Sequence, residues 1–224
     1  MRYHEWVAGR VAHTRARSQG RVGYVHVPDM VARGWAEFHR LIDAAMRCEA
    51  VVVDVRFNAG GHTSELVIER LSRRAVGWNG ARHHDDVTTY PSQAARGPVV
   101  FLTNAYAGSD GDIVTAAAQE LGLGPVVGER SWGGVVGIDG RFTLVDGTEV
   151  TQPRYWIAFD RYGFGLENHG VDPDIVVETG PAEWESEDDV QLDRAIDEAL
   201  SRLADRPAAS PPSFEAPRFA RRQS

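Results

Sequence analysis

Short apolar runs rich in β-branched residues recur along this 224-residue chain, and each closes in a turn of small residues. Ala50-Val51-Val52-Val53-Asp54-Val55 and Val99-Val100-Phe101-Leu102 are the clearest. A strand with one wet face alternates apolar and polar residues. A run that does not alternate is buried on both faces, as in a parallel sheet covered by helices. Val22-Gly23-Tyr24-Val25-His26-Val27 reads as another strand, ended by Pro28-Asp29, and Pro125-Val126-Val127-Gly128 starts one more. Helical periodicity separates them. Trp35, Phe38, Leu41, Ile42 and Ala45 recur at three- and four-residue spacing, Ser64 to Leu71 repeats the pattern, and a helix is expected from Ile113 to about Leu121. Repeated β–α units with right-handed crossovers imply an α/β fold with a mainly parallel sheet.

The pattern changes after residue 130. Arg141 to Val145, Asp146-Gly147 and Thr148 to Thr151 read as a β-hairpin, the Asp-Gly pair suiting a type I′ turn. Tyr155 to Phe159 is expected to add a strand, so the second half is hairpin-rich. Gln191 to Leu203 is an amphipathic helix carrying Leu192, Ile196, Leu200 and Leu203. The chain divides into a lead-in (1–20) anchored by Trp6 and Val7, one folded unit (21–203) and a Pro/Ala/Arg tail (204–224) expected to be disordered.

A formal charge of −8 argues against nucleic acid as a partner. No stretch approaches the ~18 consecutive apolar residues of a membrane helix. The polar, Arg-rich first residues lack the apolar core of a signal peptide. The single cysteine, Cys48, excludes an internal disulfide and reads as packing. A cytoplasmic chain without membrane association is the expectation.

The chemistry sits where two buried strands end. If they run parallel, Asn58-Ala59-Gly60-Gly61 and Asn104-Ala105-Tyr106-Ala107-Gly108-Ser109-Asp110-Gly111-Asp112 lie at one carboxyl edge, where open α/β sheets place ligands. A glycine at 60 or 61 lets backbone approach a ligand and frees an N–H to point inward. A serine at a strand–turn–helix junction exposes its hydroxyl to a substrate and aims free amides at the same point. The competing local reading is a helix cap, with Ser109 or Asp110 satisfying those amides. In the catalytic reading Ser109 attacks a carbonyl and the amides of Gly61 and Asp110 hold the oxyanion.

Four segments then occur in a telling order: Asp54 to Gly61, Thr103 to Asp112, Trp132-Gly133-Gly134-Val135-Val136-Gly137, and Glu167-Asn168-His169-Gly170-Val171-Asp172-Pro173-Asp174. Together they resemble the C-terminal catalytic subdomain of tricorn-type members of the tail-specific, C-terminal processing serine peptidases. The likeness spans roughly residues 1–203. It implies a crotonase/ClpP-like β-β-α fold, hydrolysis of short cytosolic peptides without a cofactor, and a homo-oligomer. Carried over by position, it makes Ser109 the nucleophile, Gly61 and Asp110 the oxyanion amides, and Glu167 the carboxylate completing the relay. It places Asn79 near the position where such enzymes carry an acidic, specificity-setting residue, and Gly133 and Gly134 beside the substrate.

The family takes its general-base histidine, with an assisting serine, from a segment upstream of a PDZ domain, so the resemblance implies that the base is supplied from before Met1. Of the eight histidines here, His169 is nearest to Glu167 in sequence, His62 could line the cleft, and His26 and His39 read as packing. His83-His84-Asp85-Asp86 reads as a solvated loop, and no metal site is expected. Two alternatives remain: a non-catalytic peptide-binding or assembly module that keeps the cleft, and a crotonase-like acyl-CoA enzyme.

Overall fold

The computed structural model describes residues 2–81, 83, 86–180 and 188–213. Its frame is a five-stranded sheet built from β1 (Val22–His26), β2 (Ala50–Asp54), β5 (Val99–Thr103), β6 (Val126–Gly128) and β9 (Ile175–Val176), side by side in that order. Every neighbouring pair is parallel, with Val53 opposite Val25 on one side and Phe101 on the other. All residues of β1, β2, β5 and β6 are buried, as uninterrupted apolar runs require.

Alternation along each strand divides the core in two. Val25, Val51, Val53, Val99, Phe101 and Val126 face α2 (Ala32–Met46), α3 (Ser64–Leu71) and α4 (Asp110–Glu120), which contribute Phe38, Ile42, Val67 and Val114. Tyr24, Val52, Val100, Leu102 and Val127 face the opposite way, onto α1 (Arg2–Arg17) and α5 (Val190–Asp205) through Val7, Leu192, Ile196 and Leu203. The lead-in is therefore a helix packed on the sheet. Beyond α5, the Ala209 amide donates to the Arg96 carbonyl at 2.7 Å, and the expected tail from 214 onward lies outside the described residues.

Two small antiparallel units leave the sheet. β3 (Gly77–Gly80) and β4 (Val87–Tyr90) pair with Asn79 opposite Thr88, a hairpin that the sequence pattern did not announce. β7 (Gly137–Thr143) and β8 (Glu149–Tyr155) form the expected later hairpin, longer than the pattern suggested. Its turn is not type I′. That turn needs positive φ at both central residues, and of Asp146 and Gly147 only Gly147 adopts it, at 84°. The Leu144 amide donates to Thr148 and the Gly147 amide to Leu144, closing a wider loop. Tyr155 ends β8 and no strand continues to Phe159. Trp156 turns outward, while Ile157 and Phe159 pack against the small cluster of Ala116, Val135, Leu166 and Val171.

Candidate active site

The parallel sheet brings the ends of β2, β5 and β6 to one edge, and the four segments singled out above meet there. Asn58 holds the first two together. It is fully buried, its side-chain amide donates to the Val27 carbonyl, and its Oδ1 accepts from the Gly60 amide at 2.8 Å. Its own carbonyl accepts from Gly108, one residue before the serine. Asn104 repeats the device, its Oδ1 accepting from the amides of Phe57 and Tyr106. Two asparagines thus lock the glycine turn against the serine turn.

Ser109 occupies the N-cap position of α4 with φ 55° and ψ −118° and makes no side-chain cap bond. A non-glycine residue held there costs on the order of 1–3 kcal/mol and persists only where its surroundings over-determine it. The cap reading therefore fails for Ser109. Asp110 does cap a helix, though a different one: its Oδ2 accepts from the Ser64 amide, at the start of α3. The two helix N-termini are joined through that side chain.

Amides near the serine are accounted for in part. Met30 pairs with Gly61 as in a parallel ladder, which uses the amides of Met30 and His62 and leaves that of Gly61 out. Asp110 is the first residue of α4, where an amide has no partner within the helix. Gly60 is the glycine in direct contact with the serine: a β-carbon built on it would lie 3.0 Å from the Ser109 Oγ.

The third and fourth segments interlock beside this turn. Trp132 donates its amide to Ala107 and lays its ring over Gly108. The Ser131 hydroxyl donates to Asp112 Oδ1 at 2.5 Å and accepts from the Val171 amide. Gly133, at φ 86°, donates to the same Asp112 oxygen and accepts through its carbonyl from Asn168. Gly134 lies under the Trp132 ring. Glu167 is half-buried, and its Oε2 accepts from both the Val135 and Val136 amides at 2.8 Å. Burial pushes the carboxyls of Asp110 and Asp112 upward against the hydrogen bonds that they accept.

Behind the glycine turn lies a buried ionic network that the sequence pattern did not reveal. Arg56 is paired with Asp54 at 2.7 Å and with Asp189, the N-cap of α5, at 2.7 Å. Tyr24 donates to Asp54, and Arg10 adds a second contact to Asp189. His26 donates through Nε2 to the Arg56 carbonyl, since a carbonyl can only accept, so its Nδ1 accepts from the Tyr3 hydroxyl. Desolvation lowers the His26 pKa, consistent with that neutral tautomer. The two carboxylates come from sequence-distant places, the end of β2 and the start of α5, and only Asp54 lay within a segment singled out beforehand.

Asn79 is not brought to this edge within the chain. It is exposed on β3, and its partner Thr88 lies with Asp43, Met46 and Arg47 at the far end of α2, beside the amino edge of the sheet. The histidines are also engaged elsewhere. His4 meets Glu37, His13 meets Asp193, His39 packs on Trp35, and His169 is bonded to Asp172. His62, exposed, follows the glycine turn and lies close enough to act on Asp110. No hydrogen bond joins the Ser109 hydroxyl to a histidine among the described residues. Nor, among them, is there a group of three or more side chains able to hold a metal; His84 and Asp85 lie outside the described residues. No described helix is long and apolar enough to cross a membrane.

Residues 21–177 match the model of peptidase family S41. The chain belongs to peptidase family S41. Tricorn protease homolog 1 of Streptomyces coelicolor is 55% identical over 96% of the chain, and the tricorn protease of Thermoplasma acidophilum 43% identical over 91%. The chain spans about a fifth of the length of those relatives, 20% and 19% respectively. A crystal structure of the tricorn protease superposes with a TM-score of 0.87 at 43% identity, covering 91% of this chain and 20% of that one. This S41 domain is thus the counterpart of one segment of much longer proteins.

Proposed function

We propose that this S41 domain is the catalytic part of a serine peptidase that cleaves short cytosolic peptides through an acyl-enzyme on Ser109. The observation that carries the reading is the Ser109 backbone, held at φ 55° against Gly60 with no cap bond to justify the conformation. Ser109 Oγ attacks the peptide carbonyl carbon, and its proton passes to a histidine base and then to the leaving amine. Water hydrolyses the resulting ester with the base acting again. The amides of Gly61 and Asp110 receive the oxyanion, each such donor being worth about 3 kcal/mol in the transition state.

The base is assigned to a segment outside the described residues, because no described histidine is hydrogen-bonded to the Ser109 hydroxyl and family members of this type take it from upstream. Glu167 keeps the Val135 and Val136 amides in place with Oε2, which leaves Oε1 for the relay. The segment through Gly133 and Gly134 is assigned to the substrate side of the cleft. A crotonase/ClpP-like relation of the fold, a cytoplasmic location and a homo-oligomeric assembly complete the proposal.

A fluorophosphonate reagent tests it, since phosphonylation requires an activated serine. Modification mapped to Ser109 by mass spectrometry, and lost in Ser109→Ala, is the expected result, either in the chain alone or after adding the upstream portion of the Streptomyces relative. No modification under either condition would overturn the catalytic reading in favour of a non-catalytic peptide-binding module. Saturable binding of an acyl-CoA thioester would favour the crotonase-type alternative instead.

A further inference from the structure

Asp112 is the third residue after the serine and is fully buried, yet the mechanism above gives it no task. Its Oδ1 accepts from the Ser131 hydroxyl at 2.5 Å and from the Gly133 amide at 2.8 Å. Its Oδ2 is buried without a partner at hydrogen-bonding geometry. The amides of Ser109 and Gly134 nevertheless lie close enough to act on the carboxylate charge. The position explains this. At the third residue of a helix a carboxylate folds back toward the N-cap amide, and here the N-cap residue is Ser109 itself. Ser131 carries the connection further, accepting from the Val171 amide with the oxygen whose proton it gives to Asp112.

A buried carboxylate with one unmatched oxygen is costly to keep, and a core that needed only to be filled would use an apolar residue. We propose that Asp112 is a positioning residue that couples the Ser109 turn to the 131–136 segment, so that the nucleophile and the segment beside it keep one relative placement. This coupling rests on the catalytic reading of Ser109 for its purpose, but not for its geometry. Asp112 makes no hydrogen bond to the proposed nucleophilic oxygen; it acts through the Ser131 hydroxyl and the Gly133 amide.

Two variants separate the halves of the coupling. Asp112→Asn keeps an acceptor for Ser131 and Gly133 and replaces the unpartnered Oδ2 with an NH2 group. Ser131→Ala removes the link to Val171 and leaves Asp112 intact. The full chain is followed by amide hydrogen exchange and by the rate and concentration dependence of fluorophosphonate labelling. In Asp112→Asn the maximal labelling rate is expected to fall by about 100-fold, the scale on which small misplacements of a reacting group act, with little change in half-saturating concentration. In Ser131→Ala the half-saturating concentration is expected to rise, with faster exchange across 131–136 and 169–171. Exchange in β2 and β5 should stay as in the parent, which marks the fold as intact. Parent-like exchange across 131–136 and 169–171 in both Ser131→Ala and Asp112→Ala would overturn the coupling. So would labelling of Asp112→Asn at the parent rate. If the unsubstituted chain labels neither alone nor with the upstream portion of the Streptomyces relative, the catalytic reading falls, and the exchange data still decide the coupling.

Discussion

A β-carbon on Gly60 would stand 2.6 Å from the Ser109 Cβ, so the two turns touch at a point where only glycine fits. Gly60 also has φ 80°, a conformation that a side chain strains. Gly60→Ala is therefore expected to push the serine turn outward. Fluorophosphonate labelling of Ser109 should drop at least tenfold, for a stability loss of about 1–3 kcal/mol measured by denaturant unfolding. Parent-like labelling of the alanine variant would show that the contact does not constrain the serine.

Arg56 holds Asp54 and Asp189 at once, and removing it leaves the buried Asp54 without a cation while Arg10 still reaches Asp189. Arg56→Met is expected to destabilise the chain by about 3–5 kcal/mol in urea unfolding, the range found when one partner of a buried ion pair is deleted. Adding Asp54→Asn should recover part of that loss, because Asp54 is fully buried and the amide carries no charge. A cost under about 1 kcal/mol for Arg56→Met would mean that water reaches the network.

His26 makes stability depend on pH with a definite sign. Its folded pKa lies below the ordinary value of 6.5, with desolvation as the leading cause, so the unfolded chain binds the proton more readily. The contribution is complete above the unfolded pKa and is lost as pH falls below it toward the folded pKa. A protonated ring would also turn Nδ1 into a donor and reverse its hydrogen bond with the Tyr3 hydroxyl, which would then accept. Melting temperatures of the parent are thus expected to fall more steeply from pH 7.5 to 5.5 than those of His26→Gln. Equal slopes would exclude the effect, and the comparison cancels the carboxyls common to both chains, including Asp110 and Asp112, whose raised pKa values act in the opposite direction.

Asn104 offers a cleaner comparison. Its Oδ1 is the acceptor for two backbone amides, and the side chain is buried. Asn104→Ala strands both donors and should cost about 1–3 kcal/mol, whereas Asn104→Asp retains an acceptor and should cost less. Because Phe57 is held at φ 60° by this contact, its stacking on Tyr106 should loosen only in the alanine variant, visible as line broadening of both rings by NMR.

Much of the frame was legible residue by residue. Val51, Val53 and Val55 could not all be buried by one helix layer while Ala50 and Val52 stayed apolar, so a sheet covered on both sides followed from composition alone. Helices with a regular apolar stripe, such as the one carrying Phe38 and Ile42, were equally plain. Gly77–Gly80 and Val87–Tyr90 were missed because short, half-exposed strands lack a long period. Asp146 defeated the type I′ expectation, since turn preference acts through both central residues and only Gly147 complied.

By itself, then, the sequence determined the layered α/β architecture, the edge at which the serine would stand, and membership of a peptidase family. Only the tertiary structure decided that Gly60 abuts the serine, that Asp110 caps the neighbouring helix, and that Arg56 reaches Asp189. Asn79 was likewise placed by the fold, beside the amino edge of the sheet. The reason is range. Periodicity reports which face of an element is dry. The partner of a buried polar group can sit more than a hundred residues away, chosen by whichever donor or acceptor the packed layers bring within hydrogen-bonding distance.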